Sequence, residues 1–340
     1  MALKRILVIK LGALGDFCLA FGAFAAIRAA QEDAEIALLT TAPFAPLAAR
    51  APWFDRIAVD RRAPWWELGE VWRLRRQLRG FDFVYDLQTS ARSASYFWLA
   101  GRPPWSGVAR GASHPHANPA RNRMHTLERQ REQLAMAGIR EFPPPDLAWL
   151  AAGGGGEFDL PEPYALLVPG AAAHRPAKRW PAERFAALAR HLAASGLAPV
   201  LIGAASERAL GVAIRGVAPE AIDLIGRTEL ADLGPLAAGA ALAVGNDTGP
   251  MHLIAALGRP ALVLFSAASD PALTAPRSPL GSPGGAPAVV LALENLAELS
   301  LERVVAALPS PHRRQPDPEH LSPCLPSAFP TDPSAASTRR

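Results

Sequence analysis

Three short stretches combine residue types that could do chemistry. The first is Leu11–Asp16 (LGALGD), a loop with glycines at 12 and 15 that follows the apolar run RILVIK. A carboxylate at the end of a strand can take a proton from an attacking hydroxyl, and Asp16 can equally cap a helix starting at Phe17; the two roles are compatible. The second stretch follows the apolar run YALLV and reads PGAAAHRPAKRWP, bringing His174, Arg175, Lys178 and Arg179 to one strand end. A cation there can neutralise a departing diphosphate, or the loop can be a solvated basic turn before a helix that opens on a proline. The third stretch runs from Ala241 to Pro271 and contains GNDTGPMH. Asp247 or Thr248 is a natural N-cap and Pro250 suits a first helical turn. A strand, a tight turn and a helix N-terminus together present free N–H groups and a positive dipole end, which is a seat for an anion. The same residues also make an ordinary good turn.

These stretches need strands to hold them. Arg5–Lys10, Glu35–Thr40, 56–59 and Phe83–Leu87 read as short buried strands, with helices expected at Phe17–Ala30, 42–49 and Trp65–Leu78. The last of these helices carries Arg73, Arg75 and Arg76 around apolar positions. A second series follows: strands at Tyr164–Val168, Ala198–Ile202, 221–225, from Leu242 and at Ala261–Phe265, with helices at Pro181–Ser195, Ser206–Val217, Leu230–Ala238 and Met251–Leu257. A final helix, Leu301–Leu308, has Ser300 as its cap. Strands alternating with helices at this spacing predict α/β architecture, with parallel sheets covered on both faces. Gly153–Gly156 interrupt the pattern. The expected organisation is a Rossmann-like unit over 1–150, a linker over 151–162, a second Rossmann-like unit over 163–308, and a Pro-rich tail over 309–340 without periodicity, read as disordered. Two such units make a cleft, with ligands at the carboxyl ends of the strands.

Composition narrows the functions. The net charge is only +4, from 35 Lys and Arg against 31 Asp and Glu, so nothing requires nucleic acid, and no recognised binding module is present. Two distant cysteines, Cys18 and Cys324, form neither a disulfide frame nor a zinc site, and no metal or cofactor is expected. Lys10 and Asp16 break the N-terminal apolar run too early for export or for spanning a bilayer; the chain is expected to be soluble, or at most to sit on a membrane surface. LGALG is not G-x-G-x-x-G, and Thr40 and Thr41 stand where a ribose-binding acid would end the second strand, which disfavours a nicotinamide dehydrogenase. Between Asp86 and Glu128 there is no acidic residue, while Arg92, Arg102, Arg110, Arg121, Arg123 and three histidines fall there among Tyr96, Phe97, Trp98 and Trp105. A one-signed segment of that length suits an anionic partner such as a phosphorylated or carboxylated sugar-lipid surface, or it is a solvated basic face.

In this order, RILVIKLGALGD, FVYDLQTSARS, VPGAAAHRPAKRWPAERFAALA, LIGRTELADLGPLAAGAALAVGNDTGPMHLIAALGRP and FSAASDP make residues 3–308 resemble the ADP-heptose:lipopolysaccharide heptosyltransferases of glycosyltransferase family 9. The resemblance implies a GT-B fold with parallel sheets facing a central cleft, the acceptor held by the N-terminal unit and the donor by the C-terminal one. It implies metal-independent, inverting transfer of heptose from ADP-heptose to the lipopolysaccharide inner core, in the cytoplasm at the inner face of the cytoplasmic membrane. By position, Asp16 resembles the general base and Lys178 the cation on the diphosphate. Gly170, Glu207, Asp247, Thr248, Gly249 and His252 fall on the donor side, Glu207 as a ribose-binding acid. Arg92, Arg121 and Arg123 are assigned to the anionic acceptor. FSAASDP stands where many relatives have a phenylalanine followed by Gly-Pro-Thr-Asp-Pro, so the loop Ser266–Asp270 is expected to differ in shape. The alternatives carried with this reading are another nucleotide-sugar transferase or epimerase of the same fold, and a non-catalytic sugar-nucleotide binding protein.

Overall fold

The computed structural model describes residues 3–152, 158–172, 175–282 and 288–312. Gly153–Gly156, His174 and the chain beyond 312 lie outside them, so the expected linker glycines and most of the expected tail do too. At the start of that tail, the His312 amide donates to the Ala241 carbonyl at 2.7 Å.

Two six-stranded sheets are built from the two strand series. The first contains β1 (Arg5–Ile9), β2 (Glu35–Thr40), β3 (Arg56–Val59), β4 (Phe83–Asp86), β5 (Trp105–Gly107) and β6 (His114–Pro115), in the order β3-β2-β1-β4-β5-β6. The second contains β7 (Tyr164–Val168), β8 (Ala198–Leu201), β9 (Ile222–Asp223), β10 (Leu242–Asn246), β11 (Ala261–Phe265) and β12 (Val289–Ala292), in the order β12-β11-β10-β7-β8-β9. Every pairing is parallel. That topology explains why the central strands ILVI, YALLV and ALVLF are apolar without alternation. Helices cover both faces, so every side chain of β7, β10 and β11 is buried. In each sheet the strand order reverses once, between β1 and β4 and between β7 and β10. The crevice outside such a reversal is where open α/β sheets take ligands. Asp16 follows β1 and Gly170 follows β7, so these two residues singled out from the sequence lie at the two reversals, beside Asp86 at the end of β4 and Asn246 at the end of β10.

The units meet through close approaches that only glycine permits. The Leu14–Cys18 helix lies against the Gly249–Ala256 helix. A Cβ on Gly15 would come within 2.7 Å of the His252 ring, and one on Gly249 within 2.7 Å of Leu14 Cβ. Farther along, a Cβ on Gly22 would stand 2.4 Å from the Leu280 carbonyl. His125 Nε2 lies 3.0 Å from the Ala275 carbonyl, Arg277 pairs with Glu128 at 2.9 Å, and Leu19, Leu127 and Leu280 bury one another.

Of the elements that differ from expectation, two helix starts concern residues singled out from the sequence. The helix after β1 opens at Leu14, with Ala13 in the capping position, so Asp16 sits inside the first turn and is no N-cap. Pro64 opens a turn that is closed by the Glu67 amide donating to its carbonyl. The helix expected from Trp65 therefore begins at Leu68 and leaves Trp65 and Trp66 outside it.

Candidate active site

The Leu14–Cys18 helix divides two cavities. Leu14 lines one, of about 380 Å³, together with Gly170, Gly203, Glu207, Thr228, Thr248 and Pro250 from the second sheet's loops. Asp16 lines the other, of about 650 Å³, with Thr41, Phe44, Asp60, Arg61 and Arg62 from the first. Both volumes suit small-molecule sites.

The first cavity is lined by Glu207, Thr228 and the helix start at Thr248 and Pro250, and an ion pair stands next to that helix start without lining the cavity. Lys178 Nζ meets Asp247 Oδ2 at 2.5 Å, and Ser269 Oγ donates to the same oxygen at 2.7 Å. The Gly249–Ala256 helix starts there with Pro250 in its first turn. Thr248, at its N-cap, makes no side-chain capping bond, so the dipole end faces the cavity with no side chain closing it. Asn246, buried at the end of β10, fixes this corner. Its Oδ1 accepts from the Trp180 amide at 3.0 Å and its Nδ2 donates to the Pro169 carbonyl at 2.7 Å, tying the Lys178 loop to the Gly170 loop. Glu207 lies beneath the same loops and accepts from the Ala204 amide at 2.9 Å. Gly170 is required here, because a Cβ would fall 2.0 Å from Glu207 Oε1. The loop Ser266–Asp270 brings Ser269 to Asp247, while Asp270 caps the short helix Pro271–Thr274 by accepting from the Ala272 amide.

His252 is buried between the units. Burial drives its pKa down to about 4, although Asp247 and Asp16 pull the other way, so the imidazole is neutral at pH 7. Its Nε2 lies 4.0 Å from Asp247 Oδ1.

Asp16 has no hydrogen-bond or ion-pair partner among the described residues, which leaves its oxygens free for an incoming donor. Behind it Lys10 is 3% exposed and gives its ammonium to the Leu87 carbonyl at 3.2 Å. Burial lowers the Lys10 pKa, and the nearby Asp16 and Asp86 carboxylates counter that shift. Asp86 accepts from the Gln88 and Thr89 amides and from Ser93 Oγ, yet complete burial lifts its pKa to about 6. From the sequence alone Lys10 is only a break in an apolar run. A lysine closing a run of four apolar residues, Ile6–Ile9, six residues before the candidate base, was the available signal.

The three arginines assigned to an acceptor separate. Arg121 reaches inward, its guanidinium donating to Thr89 Oγ1 and, at 3.1 Å, to His116 Nδ1 beside the Asp86 turn. Arg92 is held in the wall: it donates to Tyr96 Oη at 2.7 Å and to the Ala63 carbonyl at 3.0 Å, lies 3.7 Å from Asp60, and stacks on Trp65. Arg123 is exposed on the short helical turn Arg121–Arg123. Among the described residues no group of three or more His, Cys, Asp or Glu side chains is placed to hold a metal ion.

Two parallel six-stranded sheets, each reversing its strand order at the centre, make the GT-B architecture of glycosyltransferases. The model of glycosyltransferase family 9 (heptosyltransferase) matches residues 71–282, and the chain belongs to that family. Lipopolysaccharide heptosyltransferase 2 of Escherichia coli K12 is 30% identical over 301 residues, covering 81% of this chain and 86% of that protein. Lipooligosaccharide heptosyltransferase 2 of Haemophilus influenzae is 39% identical over 108 residues, 30% of this chain and 31% of that one. Among solved structures, E. coli ADP-heptose lps heptosyltransferase II superposes with a TM-score of 0.69 at 23% identity, covering 89% of this chain and 97% of that one. E. coli heptosyltransferase WaaC with ADP superposes at 0.70 and 24% identity, covering 89% and 98%.

Proposed function

We propose that this enzyme transfers heptose from ADP-heptose, with inversion and without a metal ion, to an anionic inner-core lipopolysaccharide acceptor at the cytoplasmic face of the inner membrane. The observation that carries the reading is the Leu14–Cys18 helix, which turns Leu14 to one cavity and Asp16 to the other. Donor and acceptor therefore meet across its N-terminal turn. The names of the relatives supply the sugar and the lipid class.

On the donor side, Glu207 receives ribose hydroxyls, while Lys178, Thr248 and the Gly249 amide receive the diphosphate, with Asp247 and His252 holding that corner. Gly170 leaves room for Glu207. On the acceptor side, Arg121 and Arg123 meet acidic groups, and Arg92 braces the wall through Asp60 and Tyr96. Asp16 takes the proton of the acceptor hydroxyl as its oxygen bonds to the anomeric carbon. The bond from that carbon to phosphate breaks on the opposite face, and its electron pair leaves with ADP. Charge on the diphosphate grows as that bond breaks, where the ammonium and the helix dipole stabilise it most, which is the task a metal ion performs elsewhere.

The test is turnover with a heptose-deficient lipopolysaccharide, offering ADP-heptose against UDP-hexoses with and without a chelator. The expected result is transfer from ADP-heptose alone, unaffected by the chelator, with the anomeric configuration of the product opposite to that of the donor by NMR. Preference for a UDP-sugar, or release of a free epimerised sugar, assigns the fold to one of the alternative reactions.

A further inference from the structure

We propose that the outer face of the Leu68–Leu78 helix, with the turn before it, docks this protein onto an anionic phospholipid bilayer. Nine large hydrophobic side chains stand exposed among the described residues, and four of them, Trp65, Trp66, Leu68 and Trp72, fall within eight positions. Trp66 is 80% exposed, Leu68 76% and Trp72 60%. The helix has already met its need for a core, because Leu74 and Leu78 bury its inner stripe against the first sheet. Its outward stripe follows the same spacing, Leu68, Trp72 and Arg76 lying four residues apart on one side. The neighbouring helix Ala91–Ala100 adds Trp98, 57% exposed.

Charge decides the occupant. Arg76 lies over the Trp72 ring at 4.8 Å and Arg102 over Trp98 at 5.3 Å. Arg75 and Arg79 are exposed beside them, whereas Glu70 is spent on Arg61 and Arg73, which leaves Glu67 as the one exposed acid of residues 61–79. Tryptophan tips interleaved with arginine fit the boundary between lipid headgroups and acyl chains, where rings enter the apolar layer and guanidinium groups remain with phosphates. A dry protein interface would want those charges matched or absent at its centre. No helix is long and apolar enough to cross a membrane among the described residues, so a surface of this kind would hold the protein from outside the bilayer. Arg61 and Arg62, which line the cavity of Asp16, immediately precede the tryptophan turn, so docking would point the mouth of that cavity at the lipid. The surface stands on its own geometry and does not depend on the proposed acceptor.

The experiment is flotation of the purified full chain with vesicles of phosphatidylglycerol and phosphatidylcholine, or phosphatidylcholine alone, with neither donor nor acceptor present. The parent should float with the anionic vesicles, less so as salt rises, and only weakly with the neutral ones. Each arginine at an anionic surface is worth roughly fivefold in partitioning. Arg75→Glu/Arg76→Glu/Arg79→Glu should therefore lower binding by about a hundredfold or more. Trp66→Ser/Leu68→Ser/Trp72→Ser should lower it at least tenfold on the same vesicles, with unchanged circular dichroism and unchanged affinity for ADP-heptose. A parent that stays with the soluble fraction overturns the proposal, as does a tryptophan-deleted variant that floats like the parent. A parent that is dimeric by light scattering and becomes monomeric in that variant overturns it too, giving the face to a second copy of the chain.

Discussion

At the residue scale the Lys178–Asp247 ion pair holds a loop, and in the proposed reaction it also readies a cation for the donor. The two side chains are 11% and 7% exposed. Removing the lysine alone strands a buried carboxylate, a loss that reaches about 3 kcal/mol or more in such settings. Lys178→Ala is thus expected to lower both thermal stability and donor affinity. Lys178→Ala/Asp247→Asn should regain most of the stability while ADP-heptose affinity stays low, as read by calorimetry beside a melting curve. Recovery of affinity along with stability would reduce Lys178 to a structural tie. His252 gives a second expectation, through pH. Unfolded, the imidazole takes a proton near its ordinary value of 6.5, whereas the folded protein withholds it until about 4. Its contribution to stability is complete above pH 6.5 and is lost as pH falls towards 4. Asp86 works in the opposite sense: its carboxyl is raised to about 6, so it favours the fold as pH drops below that value. Because Asp86 is common to both proteins, the melting temperature of the parent should fall more between pH 7 and 4.5 than that of His252→Asn; parallel curves would deny the shift. The sequence made Lys178, Asp247 and His252 visible, since their types stood at strand ends. It did not show that Asn246 binds two loops or that Ser269 reaches Asp247, because amide and hydroxyl partners 22 to 77 residues away leave no spacing to read.

At the scale of elements, the decisive contact is between the helices Leu14–Cys18 and Gly249–Ala256. Gly15→Ala would press a methyl group to 2.7 Å from the His252 ring, and Gly249→Ala would press one to 2.7 Å from Leu14 Cβ. Either must push the two walls apart, so each is expected to reduce kcat severalfold or more while leaving ADP-heptose affinity much closer to that of the parent. Equal loss in both, or in neither, would show that this contact does not set the register of the reacting groups. Gly170→Ala acts differently. Its methyl displaces the flexible end of Glu207, so donor affinity should fall with little change in melting temperature. Strands of five apolar residues such as YALLV and ALVLF were legible to the residue, because a strand buried on both faces shows as an unbroken run. β5, β6 and β12 were missed. The first two span three and two residues inside the basic segment, and the last, VVLA, is half exposed at a sheet edge, so neither length nor burial marked them. The helix at Leu14 was misplaced for a related reason: glycine at 15 reads as loop, and only its partner His252, far along the chain, explains why glycine is needed in a helix.

Over the whole molecule, both sheets reverse their strand order at the centre, so that in the proposed reaction a proton acceptor and a leaving-group cation come from opposite halves. The alternating pattern of strands and helices was enough to foresee two parallel sheets and a cleft. It was not enough to foresee how the second unit reaches across the first, as Ala275, Arg277 and Leu280 do at His125, Glu128 and Gly22. The central claim is that Asp16 is the base of that reaction and not a structural residue; among the described residues its side chain makes no hydrogen bond, ion pair or capping bond. The measurement that meets the claim directly is turnover of ADP-heptose on a heptose-deficient acceptor by the parent and by Asp16→Asn, paired with calorimetric affinity for ADP-heptose. The predicted result is a fall in kcat of about 10²- to 10⁴-fold with the dissociation constant nearly unchanged. An asparagine variant that turns over within a few-fold of the parent, or one whose donor affinity collapses together with its rate, would contradict it.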